Sequence, residues 1–123
     1  MTKTALELSP DEWERYSVPK RSVTPEVQAH WHKAWQLIPE LAQMLKEKFG
    51  ATRVSVFGSA LDPDFFSLDS DIDLAAWDIA DELYFQAALA VDDYSTAFKV
   101  DLVDPRSCKP GLRGAIEREG IEV

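Results

Sequence analysis

The sequence predicts a small α/β domain of the α+β kind, a three- to four-stranded mixed sheet with helices mainly on one face. Three observations point there. Up to Gly50 apolar residues recur at helical spacing, after Gly50 the pattern changes to short β-branched runs, and helix-patterned stretches separate those runs. With 123 residues, 46% of them hydrophobic, the chain has the size that closes around one core.

Taken in order, Ser9-Pro10-Asp11-Glu12 combines a cap residue, a proline at the first helical position and an acid at the third, which predicts a short helix to about Tyr16. Residues 19–22 read as a linker. Thr24-Pro25-Glu26 repeats the same start, and Val27, Trp31, Ile38, Leu41 and Leu45 then recur at spacings of three, four or seven, with Trp35 on the same stripe. Pro39 should kink or split this helix, and Gly50 should stop it. Arg53-Val54-Ser55-Val56-Phe57 reads as a strand closed by the turn Gly58-Ser59. Residues 60–69 are rich in Pro, Asp and Ser, with Phe65 and Phe66 as anchors to the core. A second strand spans 71–76. Asp78 is placed to cap a helix to about Val91 that carries Leu83, Ala87 and Val91 on one face. A third strand follows over 98–103, then a helix opened by Pro110 and stopped at Gly120, then a short strand at 121–123.

Charge narrows the function. Thirteen Lys and Arg against twenty-two Asp and Glu leave a formal net charge of −9, which argues against an extended nucleic-acid footprint, because such a surface gains affinity by neutralising phosphates. No apolar run is long enough to cross a membrane and no leader pattern opens the chain, so the expected compartment is the cytoplasm. Cys108 is the lone cysteine and is assigned no chemistry. His30 and His32 stand two apart on a helix, face different sides and cannot chelate as an i, i+4 pair.

The chemistry centres on Asp71-Ile72-Asp73-Leu74. Side chains alternate along a strand, so both carboxylates emerge on one face while Ile72 and Leu74 enter the core. Two carboxylates this close repel unless a cation lies between them, and hard oxygen ligands select magnesium or manganese. A solvent-facing strand edge decorated with Asp against aggregation is the competing reading, although Asp is a poor strand former. Gly58-Ser59 offers backbone N–H groups and a hydroxyl to an anion, or is an ordinary strand-end turn. Asp101 interrupts the apolar strand Val100 to Val103 and would complete a three-carboxylate site if that strand pairs beside the first. Asp104, before Pro105, reads as a strand-end turn residue.

Val56-Phe57-Gly58-Ser59, Asp69-Ser70-Asp71-Ile72-Asp73-Leu74, Val100-Asp101-Leu102-Val103-Asp104 and Ile116-Glu117-Arg118-Glu119-Gly120 together resemble the minimal MNT-type nucleotidyltransferases of the polymerase-beta-like superfamily. The resemblance covers about residues 34–123, with 1–33 left as an N-terminal helical extension. It implies a polymerase-beta-like fold in which Asp71 and Asp73 hold two magnesium ions (or manganese), Asp101 completes the metal site on the nucleophile side, and Gly58 and Ser59 bind the phosphates of ATP as substrate. It further implies transfer of AMP to a hydroxyl, a tyrosine by expectation, on a HEPN-domain partner, with this chain as antitoxin in a hetero-oligomer. Family members commonly follow Gly-Ser with a basic segment, whereas this chain reads Ala60-Leu61-Asp62-Pro63-Asp64. Cations for the triphosphate must then come from Lys99, Arg53, Arg106 or a partner. The altered segment also keeps a second reading open, a binding module of the same fold that neutralises its partner by contact.

Overall fold

The computed structural model describes residues 23–123, so the expected helix after Ser9 lies outside the described residues. Helix α1 spans Pro25–Phe49. Its start follows the sequence grammar: the Thr24 hydroxyl accepts the Val27 N–H at 3.2 Å, and Pro25 spends no donor in the first turn. Its end is set by Gly50, whose left-handed backbone (φ 79°) returns an N–H to the Leu45 carbonyl. Ala34, Ile38, Leu41, Ala42 and Leu45 form the buried stripe. Pro39 does not split the helix. Its ring is on the exposed side, where the carbonyl it leaves unbonded can be hydrated, while Ile38 and Leu41 on either side are held in the core. The boundary expected between residues 33 and 34 falls inside this one helix.

Strand β1 spans Arg53–Phe57, a 3-10 turn follows at Gly58–Leu61, and β2 spans Ile72–Trp77. Helix α2 covers Asp81–Asp93, β3 Val100–Val103, α3 Pro110–Glu119 and β4 Ile121–Glu122. The sheet order is β3-β2-β1-β4. β1 runs antiparallel to both β2 and β4, whereas β2 and β3 are parallel and are joined by α2 as the crossover that parallel strands require. The mixed sheet expected from the sequence is therefore the one observed.

Period two sorts the strands between two faces. Val54, Val56, Ile72, Leu74, Ala76 and Val100 enter the main core under α1 and α2, and Phe57 and Ala75 meet Ile116 of α3 on the other face. Of the three helices among the described residues, two thus share one face. In the loop between the turn and β2, Phe66 is buried as expected, but Phe65 stands 64% exposed.

Asp78 does not cap α2. Its backbone is left-handed (φ 69°) and its carboxylate accepts the Thr52 hydroxyl, which ties the end of β2 to the start of β1. Asp is among the residues that tolerate this conformation, because its short side chain bonds locally. The helix begins three residues later, after Ala80, where Asp81 and Glu82 place negative charge against its N-terminal end.

Candidate active site

The antiparallel hairpin of β1 and β2 sets Phe57 opposite Asp73, so the turn that leaves β1 passes directly beside that carboxylate. Gly58 makes the approach possible. Its φ of 76° is left-handed, and a Cβ at this position would lie 2.5 Å from Asp73 Oδ2. Only glycine accommodates both the backbone conformation and the contact. Gly58 is exposed and Ser59 partly exposed, so the turn and the Asp73 carboxylate open onto the same end of the sheet.

The parallel pairing of β2 and β3 puts Asp73 and Asp101 in direct register, with Ile72 opposite Val100 and Leu74 opposite Leu102. Residues in register share a face, so Asp101 stands beside Asp73 while Ile72 and Leu74 are fully buried behind them. Asp71 immediately precedes β2 and is partly exposed. The Asp73 carboxyl is pushed up from 3.8 to about 6, first by burial, then by the negative charge of Asp101 and then by that of Asp71. Asp101 and Asp71 therefore both act on Asp73. Among the described residues, however, no three His, Cys, Asp or Glu side chains converge at ligand distance on a single point. The donor set fits hard divalent cations such as magnesium or manganese in its chemistry, being made of carboxylate oxygens only, with two of the negative charges set against the half-buried Asp73.

An open cleft of about 610 Å³ runs from Asp73 and Asp101 along β3, walled by Phe57, Leu89 and Leu112 and flanked by Lys99. Of the three cations considered from sequence, Lys99 lines this cleft and has no ion-pair partner among the described residues. The other two are engaged elsewhere. Arg53 lies 4.1 Å over the Trp77 ring and pairs with Glu117 and Glu122, and Arg106 is held by Asp104, Asp81 and the Ile79 carbonyl. Asp104 is at the strand end, where its carboxylate also accepts the Arg106 N–H.

Two residues that sequence reasoning treated as packing reach the site's turn. The indole N–H groups of Trp31 and Trp35 both donate to the Ala60 carbonyl, at 2.8 and 2.9 Å. Their spacing placed both on the apolar stripe of this helix, and nothing local told what they would bond. His30 packs against the rings of both Phe66 and Phe98, with centroids 5.6 and 4.4 Å away, and these two rings also meet each other at 6.3 Å. Cys108 is partly buried, its thiol against the Pro105 carbonyl. No helix among the described residues is long and apolar enough to cross a membrane.

The chain is similar to a solved toxin-antitoxin structure. That structure is the MntA-HepT toxin-antitoxin, matched at 22% identity over 77% of this chain and 69% of the other, with a TM-score of 0.48. No protein-family model matches the chain, and no curated protein matches its sequence.

Proposed function

We propose that this chain is a metal-dependent nucleotidyltransferase that moves AMP from ATP to a hydroxyl of a partner protein. The observation that carries the reading is the meeting of two motifs distant in sequence, the Gly58-Ser59 turn against Asp73, with Asp101 in register beside it. An acidic strand edge serving only to discourage aggregation requires neither the left-handed glycine nor the close approach.

In this reading Asp71, Asp73 and Asp101 would hold two magnesium ions, and Gly58 and Ser59 would receive the phosphates through backbone N–H groups and the Ser59 hydroxyl. The chemistry supplied by bound divalent ions is neutralisation of charge on the triphosphate and on the entering and leaving oxygens. Lys99 adds positive charge at the cleft, and Phe57, Leu89 and Leu112 give it apolar walls suited to a ring. The acceptor oxygen bonds to the α-phosphorus as the bond from that phosphorus to the bridging oxygen breaks. Pyrophosphate leaves and the hydroxyl proton passes to solvent. The chain's own share is positioning and electrostatics.

The acceptor of this proposal is a tyrosine on a HEPN-domain toxin, as the sequence resemblance implies, and a net charge of −9 suits a basic protein partner better than a nucleic acid. One observation favours contact inhibition instead: the turn is followed by Asp62 and Asp64, acids where a triphosphate would gain from bases. Incubating the partner with this chain, ATP and magnesium and then measuring its intact mass separates the two. Transfer adds the mass of AMP, and the Asp71→Ala, Asp73→Ala double variant adds none. A partner that is fully inhibited and unmodified would establish the binding module.

A further inference from the structure

The turn that receives the phosphates in the reading above carries no basic side chain, so its donors are backbone N–H groups and one hydroxyl. Such donors serve an anion only while their directions are held. We infer that Trp31 and Trp35 are positioning residues that lock the Gly58–Leu61 turn in its anion-receiving shape. The inference rests on that functional reading for the ligand and on the geometry alone for the lock.

The two tryptophans are one helical turn apart on α1, so their side chains leave the same face. Their rings lie 6.3 Å apart at 58°, and both indole N–H groups converge on one oxygen, the Ala60 carbonyl. A carbonyl has two lone pairs, and here both are taken by donors from a different element, twenty-nine and twenty-five residues away. The Ala60 side chain is itself fully buried, so the end of the turn is fixed through its backbone and its methyl group together. The same helix also holds the far end of the loop, because His30 packs on Phe66, which is 4% exposed. Between these anchors the loop closes on itself: the Asp62 carboxylate accepts the Asp64 N–H at 2.9 Å and the Asp62 carbonyl accepts the Phe65 N–H at 3.0 Å. Apolar packing alone would be met by Phe or Leu at both positions. Two convergent N–H donors are what tryptophan adds. Rigidity of the turn thus offsets the missing cations.

The test is the Trp31→Phe, Trp35→Phe double variant, which keeps an aromatic ring at each position and removes both donors. Three measurements on the full chain are compared with wild type: amide hydrogen exchange across residues 58–62, MgATP affinity by calorimetry, and Mn²⁺ affinity by electron paramagnetic resonance. The expected result is exchange faster by about tenfold or more in that segment with β1 and β2 unchanged. MgATP binding weakens by about tenfold while Mn²⁺ binding holds. If the double variant does not fold, the two single variants, each keeping one donor, are expected to show smaller changes of the same kind. Unchanged exchange in 58–62 would overturn the lock, whatever happens to the nucleotide. Wild type that binds Mn²⁺ but not MgATP would overturn the phosphate role of the turn and the functional reading with it, a failure seen in calorimetry and not in exchange.

Discussion

Asparagine at position 73 is expected to make the metal-free protein more stable and the metal-loaded protein unattainable. The Asp73 carboxyl ionises at about 6 rather than 3.8, because it is half-buried and faces Asp101 and Asp71. The folded chain therefore holds this proton more tightly than the unfolded chain does. That contribution to stability is complete below pH 3.8 and is lost as pH rises through about 6, so at pH 8 the folded state carries the whole penalty. Without screening, the displacement corresponds to about 3 kcal/mol. Solvent reaches about half of the group, which reduces the figure to about 1–2 kcal/mol. For a domain of this size that is a rise of roughly 5 °C in melting temperature for Asp73→Asn at pH 8. Other carboxylates titrate as well, so the informative quantity is the difference between variant and wild type in EDTA at pH 8 and at pH 4. It should be several degrees at the first and close to zero at the second. Adding Mn²⁺ should then raise the wild-type midpoint and leave the variant's unchanged, since the amide keeps the shape and loses the charge. A variant equal to or less stable than wild type at pH 8 would refute the electrostatic account of this site.

Gly58→Ala should cost about 1–3 kcal/mol in chemical denaturation, because it places a Cβ on the Asp73 carboxylate and forces alanine into a left-handed backbone. Calorimetry should show its MgATP affinity falling as well. Lys99→Ala, an exposed change in the cleft wall, should leave the melting temperature within about 2 °C and weaken MgATP binding by roughly 1 kcal/mol, with the loss shrinking at high salt. Binding unaltered at low ionic strength would remove Lys99 as the cation that serves the triphosphate.

Much of this molecule is local and was legible as such. Thr24-Pro25 and Gly50 bound α1 because a cap hydroxyl, a proline without a donor and a glycine in a left-handed backbone act within a few residues of themselves. Val54, Val56, Ile72 and Leu74 revealed their inward face by alternation, and the same period set Asp73 on the face opposite them, with Asp71 just ahead of the strand. What the tertiary structure decided was each meeting of distant segments. Asp73 stands level with Asp101 only because the crossover through α2 brings β3 parallel to β2 without an offset, and Gly58 lies on Asp73 only because the β1–β2 register ends at Phe57. The same holds for Asp78, turned into a left-handed link to Thr52 rather than a cap, and for Pro39, carried through an unbroken helix by the core packing of Ile38 and Leu41. Trp31 and Trp35 announce bulk and one donor each, but the carbonyl they share is more than twenty residues away. Short-range periodicity encodes which face a side chain takes, whereas the partner it meets depends on how whole elements pack, a sum of many weak contacts that no single stretch of sequence contains.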